Sequence, residues 1–104
     1  MSRQKETVDN TIEDIKDTVD LFYQQKDAEA LNKFEVVIGE MMDSMDALVE
    51  YRNDNEEFEF DEEKISSTLK DAMNSLQDGD LVLLADILQY DFLEYMQELA
   101  DKME

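Results

Sequence analysis

A chain of 104 residues with 29 acidic and 9 basic side chains carries a formal charge of −20 at pH 7. Such a field repels phosphate backbones and anionic lipids, so no direct contact with nucleic acid or membrane is expected. With neither cysteine nor histidine, disulfides, thiol catalysis, imidazole acid–base chemistry and zinc or di-iron sites built on those ligands are excluded.

The mixture of 42% hydrophobic and 37% charged residues is too apolar for a disordered acidic tail, and the length suits a single helical domain over residues 1–104 with a modest core. No run approaches the roughly 18 apolar residues of a membrane span. The opening Met1-Ser2-Arg3-Gln4-Lys5-Glu6 lacks the apolar region of a secretion signal, so the expected location is cytoplasmic.

Proline is absent and the only glycines are Gly39 and Gly79, which leaves little turn chemistry and much helix propensity. Val8, Ile12, Ile15, Val19 and Phe22 recur at steps of four and three and predict a first helix over 7–26. Asp27 is positioned to cap a second helix, 28–53, in which Leu31, Phe34, Ile38, Met41, Met45 and Leu48 form the stripe and Val37, Met42 and Val49 widen it. The acidic run from Asp54 to Glu59 reads as a connection. Asp61 then caps a third helix, 62–78, with Glu62 and Glu63 complementing its dipole and Phe60 stapling onto Ile65. Ile65, Leu69, Ala72 and Leu76 face inward until Gly79 ends the helix. Asp80 caps a fourth, 81–102, whose inward stripe is Leu81, Leu84, Ala85, Leu88, Phe92, Tyr95, Leu99 and Met103.

Four amphipathic segments with short links predict an all-α fold, an antiparallel up-and-down four-helix bundle. Three long helices with the first loose or swapped is the main alternative. A dimeric coiled coil is a further one, although the stripes are wider than its two-in-seven seam.

The start of the fourth helix is apolar on more than one side. Leu83, Ile87 and Tyr90 fall on a second stripe away from Leu84 and Leu88, to be covered either within the bundle or by a partner. Met41, Met42 and Met45 are expected in the core, since methionine is an ordinary filler there, and a methionine-lined partner groove is the weaker reading. Phe58 and Phe60 are expected to fold back over the bundle.

The acidic connection offers oxygen donors but lacks the glycine and donor spacing of an EF-hand loop, so no metal site is assigned. Glu59/Glu62, Asp91/Glu94 and Glu98/Asp101 have the spacing of carboxylate pairs in magnesium-dependent all-α nucleotide pyrophosphatases. In a chain with 29 acids such pairs arise by chance, and cations to clamp a triphosphate are scarce, so no catalytic residue, cofactor or small-molecule substrate is assigned.

Asp78-Gly79-Asp80-Leu81-Val82-Leu83-Leu84-Ala85-Asp86-Ile87-Leu88-Gln89-Tyr90 resembles a stretch of small acidic bacterial proteins of unknown function, and is similar to one near the end of some motility-associated glycosyltransferases. The resemblance implies a bacterial helical accessory module, near motility or surface assembly.

The expected function is a noncatalytic interaction or accessory module that presents the Leu83, Ile87 and Tyr90 side to a protein partner or, as a homodimer, to a second copy. An acidic decoy that occupies a nucleic-acid-binding protein is the alternative, and the magnesium-dependent hydrolase ranks third. The net charge serves solubility on one reading and steers toward a basic partner on the other. Either way the folded chain repels itself, so added salt should raise its melting temperature. A thermal melt that does not move between low and high salt would show that self-repulsion is unimportant.

Overall fold

The computed structural model describes residues 2–103, which form four helical rods and no strand. Three are α1 (Arg3–Tyr23), α2 (Asp27–Asp54) and α3 (Glu62–Gln77). The fourth consists of three consecutive pieces: α4 (Leu81–Asp86), a π-helical segment (Ile87–Leu93) and α5 (Glu94–Asp101).

The first helix starts earlier than its apolar stripe predicts. The Ser2 hydroxyl accepts the Lys5 backbone N–H at 3.0 Å and caps a polar turn that hydrophobic periodicity cannot register. α1 also ends before the expected Lys26. The N–H of Gln25 bonds the Phe22 carbonyl and that of Lys26 the Leu21 carbonyl, both at 3.0 Å, which is the paired closure of a Schellman end. Gln25 sits at φ 61°, a left-handed conformation that glycine usually supplies. Asp27 is consequently the first residue of α2 rather than its cap; Lys26 holds the cap position without a side-chain bond.

α3 closes by the same device with a glycine in it. Gly79 N–H bonds the Leu76 carbonyl at 3.1 Å and Asp80 N–H bonds the Ser75 carbonyl at 2.9 Å, with Gly79 at φ 72°. The Asp80 carboxylate then accepts the Leu83 N–H at 3.0 Å, so one residue ends α3 and starts α4. At the other end of α3, Asp61 accepts the Lys64 N–H at 3.2 Å, as its sequence position predicts.

Val8, Ile12, Ile15, Val19 and Phe22 of α1 are all buried, in one cluster with Phe34, Met41 and Leu48 of α2, Ile65 and Ala72 of α3, and Leu84, Leu88, Phe92, Met96 and Leu99 of the fourth rod. α1 packs on α2 and on every piece of the fourth rod, and α3 packs on α4 and the π segment. Along the α1–α2 seam, Gln4 donates to Glu50 at 3.0 Å, the Ser44 hydroxyl donates to Thr11 at 2.6 Å, and Lys33 lies 3.9 Å from Asp14. Residue numbers on α2 thus fall as those on α1 rise. The same inverse order joins α1 to the fourth rod, where Lys5 donates to the Ala100 carbonyl at 3.0 Å and the Tyr23 hydroxyl to Asp86 at 2.7 Å.

The π segment has a legible cause. Leu84, Leu88, Phe92 and Met96 are all essentially inaccessible and are spaced by four residues. On a regular α-helix three such steps drift by about 120° around the axis; the wider i→i+5 turn takes up part of that drift and keeps the four on one line. Met96 therefore enters the core where Tyr95 is expected, and Tyr95 is only half-buried. Met41 is buried and Met45 partly so, whereas Met42 points to solvent. Phe58 and Phe60 do fold back into the core. Phe58 meets Tyr51 edge-on at 4.9 Å, and the Arg52 guanidinium lies 5.5 Å from the centroid of the Phe60 ring while pairing with Glu62.

The two Schellman ends predict substitutions of opposite sign. Gly79→Ala forces a side chain into a left-handed position and should cost about 1 kcal/mol, while Gln25→Gly removes that strain and should gain about 0.5 kcal/mol. Urea unfolding of both variants checks this, and a shift of the same sign in both would contradict it.

Candidate docking surface

The fourth rod has to bury one line of side chains against α1 and another against α3, and its first half carries more apolar residues than those two contacts absorb. Val82 is 71% exposed, Leu83 47% and Tyr90 61%. Ile87 is only 7% exposed and belongs to the core. The expected Leu83, Ile87 and Tyr90 stripe is thus corrected: the π segment begins at Ile87 and re-aims the side chains beyond it, so the three do not share one open face.

Two adjoining lines take its place. Val82, Asp86 and Tyr90 are spaced by four residues, and Asp86 and Tyr90 neighbour the end of α1, where Tyr23 donates its hydroxyl to Asp86 at 2.7 Å. Leu83, Ile87 and Asp91 border α3 and line a shallow groove whose far wall is Asp71, Asn74, Ser75 and Asp78. Leu83 and Ile87 meet in this groove, and Tyr90 is not among the residues that line it. Sequence reasoning passes over Val82 and Tyr23. The four-residue spacing from Val82 to Tyr90 is a signal for the first, but nothing in the sequence brings Tyr23 to Asp86.

The surface is strongly acidic. The fourth rod contains no lysine or arginine between Leu81 and Asp101, and Asp71, Asp78 and Asp91 are exposed and outside every ion pair among the described residues. The Tyr23 phenol is pushed up to about 12 by partial burial, by its hydrogen bond to Asp86, and by the charges of Asp86 and neighbouring Tyr90. Since about half of Tyr23 is exposed, the bond to Asp86 is the cause the geometry shows most directly.

A family model matches residues 1–102. The chain belongs to the family described as Domain of unknown function (DUF8042). No curated protein and no solved structure matches it.

In this DUF8042 chain the carboxylate pairs considered for magnesium stay apart in role. Glu62 is held by Arg52 and Glu98 by Lys102, while Glu59, Asp91, Glu94 and Asp101 are exposed. Among the described residues no three carboxylates converge as a metal site would require. No helix among them is long and apolar enough to cross a membrane.

A separate polar site lies on the α1–α2 seam. The Thr11 hydroxyl lies 3.0 Å from the Thr7 carbonyl and 3.2 Å from the Glu40 carbonyl, and accepts from buried Ser44. Beside it the Glu40 carboxyl is raised to about 7, by partial burial, then by its hydrogen bond to Asp14 and the charge of Asp14, with Asp43 adding and Lys33 opposing. Two carboxyls hydrogen-bond only when one of them keeps a proton. Because the folded value lies above the ordinary 4.5, the contribution of Glu40 to stability is complete below pH 4.5 and is lost as pH rises through about 7. Glu40→Gln mimics the protonated form, so the variant should gain on the wild type over that window. Thermal melts across it check the prediction, and a difference independent of pH would refute it.

Proposed function

We propose that this protein is a noncatalytic interaction module, an up-and-down antiparallel four-helix bundle acting in the cytoplasm and presenting the first half of its fourth rod to a protein partner or a second copy. The observation that supports this reading is the exposure of Val82, Leu83 and Tyr90 on one short length of helix, in a chain otherwise rich in surface charge. Exposed apolar side chains grouped in this way are a feature of interaction sites, and a tyrosine suits such a surface because its ring packs while its hydroxyl stays wet. A π-helical turn in the same segment supports it too, since such turns recur at functional sites. The acidic-decoy reading gains less support, because exposed carboxylates are spread over every rod.

The test is affinity capture from the native cell at low and high salt, with the wild type and a Leu83→Glu/Tyr90→Glu variant as baits. Ile87 stays intact because it is buried. The variant should keep the wild-type melting temperature and lose at least tenfold of a partner that the wild type captures at both salt levels, and light scattering of the wild type separates a second copy from a different protein. Identical capture by the two baits would refute the proposed face.

A further inference from the structure

The groove between α3 and the fourth rod has a layout that selects its occupant. Its floor is apolar, made by half-exposed Leu83 and the edge of Ile87. Asp71 and Asp78 stand on the α3 wall and Asp91 on the opposite one. Asp71 and Asp78 are seven residues apart, two helical turns, which places them about 10.5 Å apart along the axis. No ion pair among the described residues neutralises any of the three, and the fourth rod supplies no cation of its own.

A ligand for such a groove needs an apolar ridge flanked by positive charges at matching intervals. An amphipathic helix provides that, with a ridge at i, i+3, i+4 and i+7 and lysines or arginines on its borders. A second copy of this chain does not: it would set a body of charge −20 against another and the same three aspartates against acidic neighbours. Nucleic acid fails for the same reason. We infer that the groove floored by Leu83 and Ile87 and walled by Asp71, Asp78 and Asp91 docks a basic amphipathic helix of another protein, with cations two turns apart facing Asp71 and Asp78. This inference rests on the docking function proposed above and specifies its partner.

The probe is a synthetic peptide of about 18 residues, long enough to form helix on binding, with a leucine ridge bordered by lysines at i and i+7. Controls are the same composition scrambled to remove the ridge, and the ridge peptide with glutamate for lysine. Binding is read by fluorescence anisotropy at low and high salt. The ridge peptide should bind at least tenfold more tightly than the scrambled one. Leu83→Ser should weaken it about tenfold, and so should the Asp71→Asn/Asp78→Asn/Asp91→Asn variant, with both variants retaining wild-type helicity by circular dichroism. The charge variant should also have a shallower salt dependence.

Equal binding of ridge and scrambled peptides, indifferent to Leu83→Ser, would mean attraction by net charge alone and would overturn the inference. So would no binding by either lysine peptide, tighter binding of the glutamate peptide, or a wild type that associates with itself through Leu83. If the inference fails in any of these ways while the Leu83→Glu/Tyr90→Glu bait still loses its cellular partner, the docking face stands and the occupant is of another kind. If that bait loses nothing, the docking function itself is wrong.

Discussion

The structure depends on the apolar stripe of α1. Val8, Ile12, Ile15, Val19 and Phe22 are buried along the whole helix, which packs both on α2 and on the fourth rod. Each such side chain contributes roughly 1.5–3 kcal/mol by leaving water, against a total stability of only about 5–15 kcal/mol for a domain of this kind. Detaching α1 would expose its own stripe and also the faces of α2 and the fourth rod turned toward it. The polar bonds of α1 act on register. Thr11 with Ser44, Gln4 with Glu50, Lys5 with Ala100 and Tyr23 with Asp86 fix how far each neighbour slides, and no buried side-chain polar atom among the described residues lacks a partner.

The fourth rod meets two demands at once. It contributes the Leu84, Leu88, Phe92 and Met96 line to the core, and a four-residue repeat cannot stay on one face of a regular α-helix. The π segment resolves that conflict within the rod. The same segment holds buried Ile87 and, three residues on, exposed Tyr90, while exposed Leu83 precedes it in the regular α-helical turn. The face proposed for docking adjoins this change of winding, with Asp80 fixing where the rod starts.

What could be read from the sequence divides along physical lines. Asp61, Gly79 and Asp80 announce their helix ends because a short acidic side chain or a residue tolerant of positive φ has few other uses there. Stripes spaced by three and four residues announce α1 most fully, since all five of its residues are buried, whereas Leu31, Ile38 and Met45 of α2 and Leu69 and Leu76 of α3 are only partly so. The connection after α1 is hidden because Gln25 adopts the left-handed conformation with no glycine to mark it, and α1 begins with a polar turn that no apolar spacing detects. In the candidate site, Leu83 and Tyr90 are legible as surplus apolar residues, whereas Ile87, one regular α-helical turn after Leu83, is covered by tertiary packing that periodicity alone does not show. The four-residue spacing from Leu84 to Met96 carries the change of winding once it is followed through its fourth member. Tyr23 and the acids of α3 are beyond such reasoning, because only tertiary packing brings them to the fourth rod.

The most direct test of this account is hydrogen–deuterium exchange along the native chain, resolved by residue. If the α1 stripe holds the molecule together, amides in the middle of α1, from Ile12 to Val19, should exchange only through the same global opening as buried positions of α2 and the fourth rod, and Ile15→Ala should lower protection in all three together. Fast exchange of α1 while α2 and the fourth rod stay protected would show that α1 is an accessory strap, and the account would be wrong.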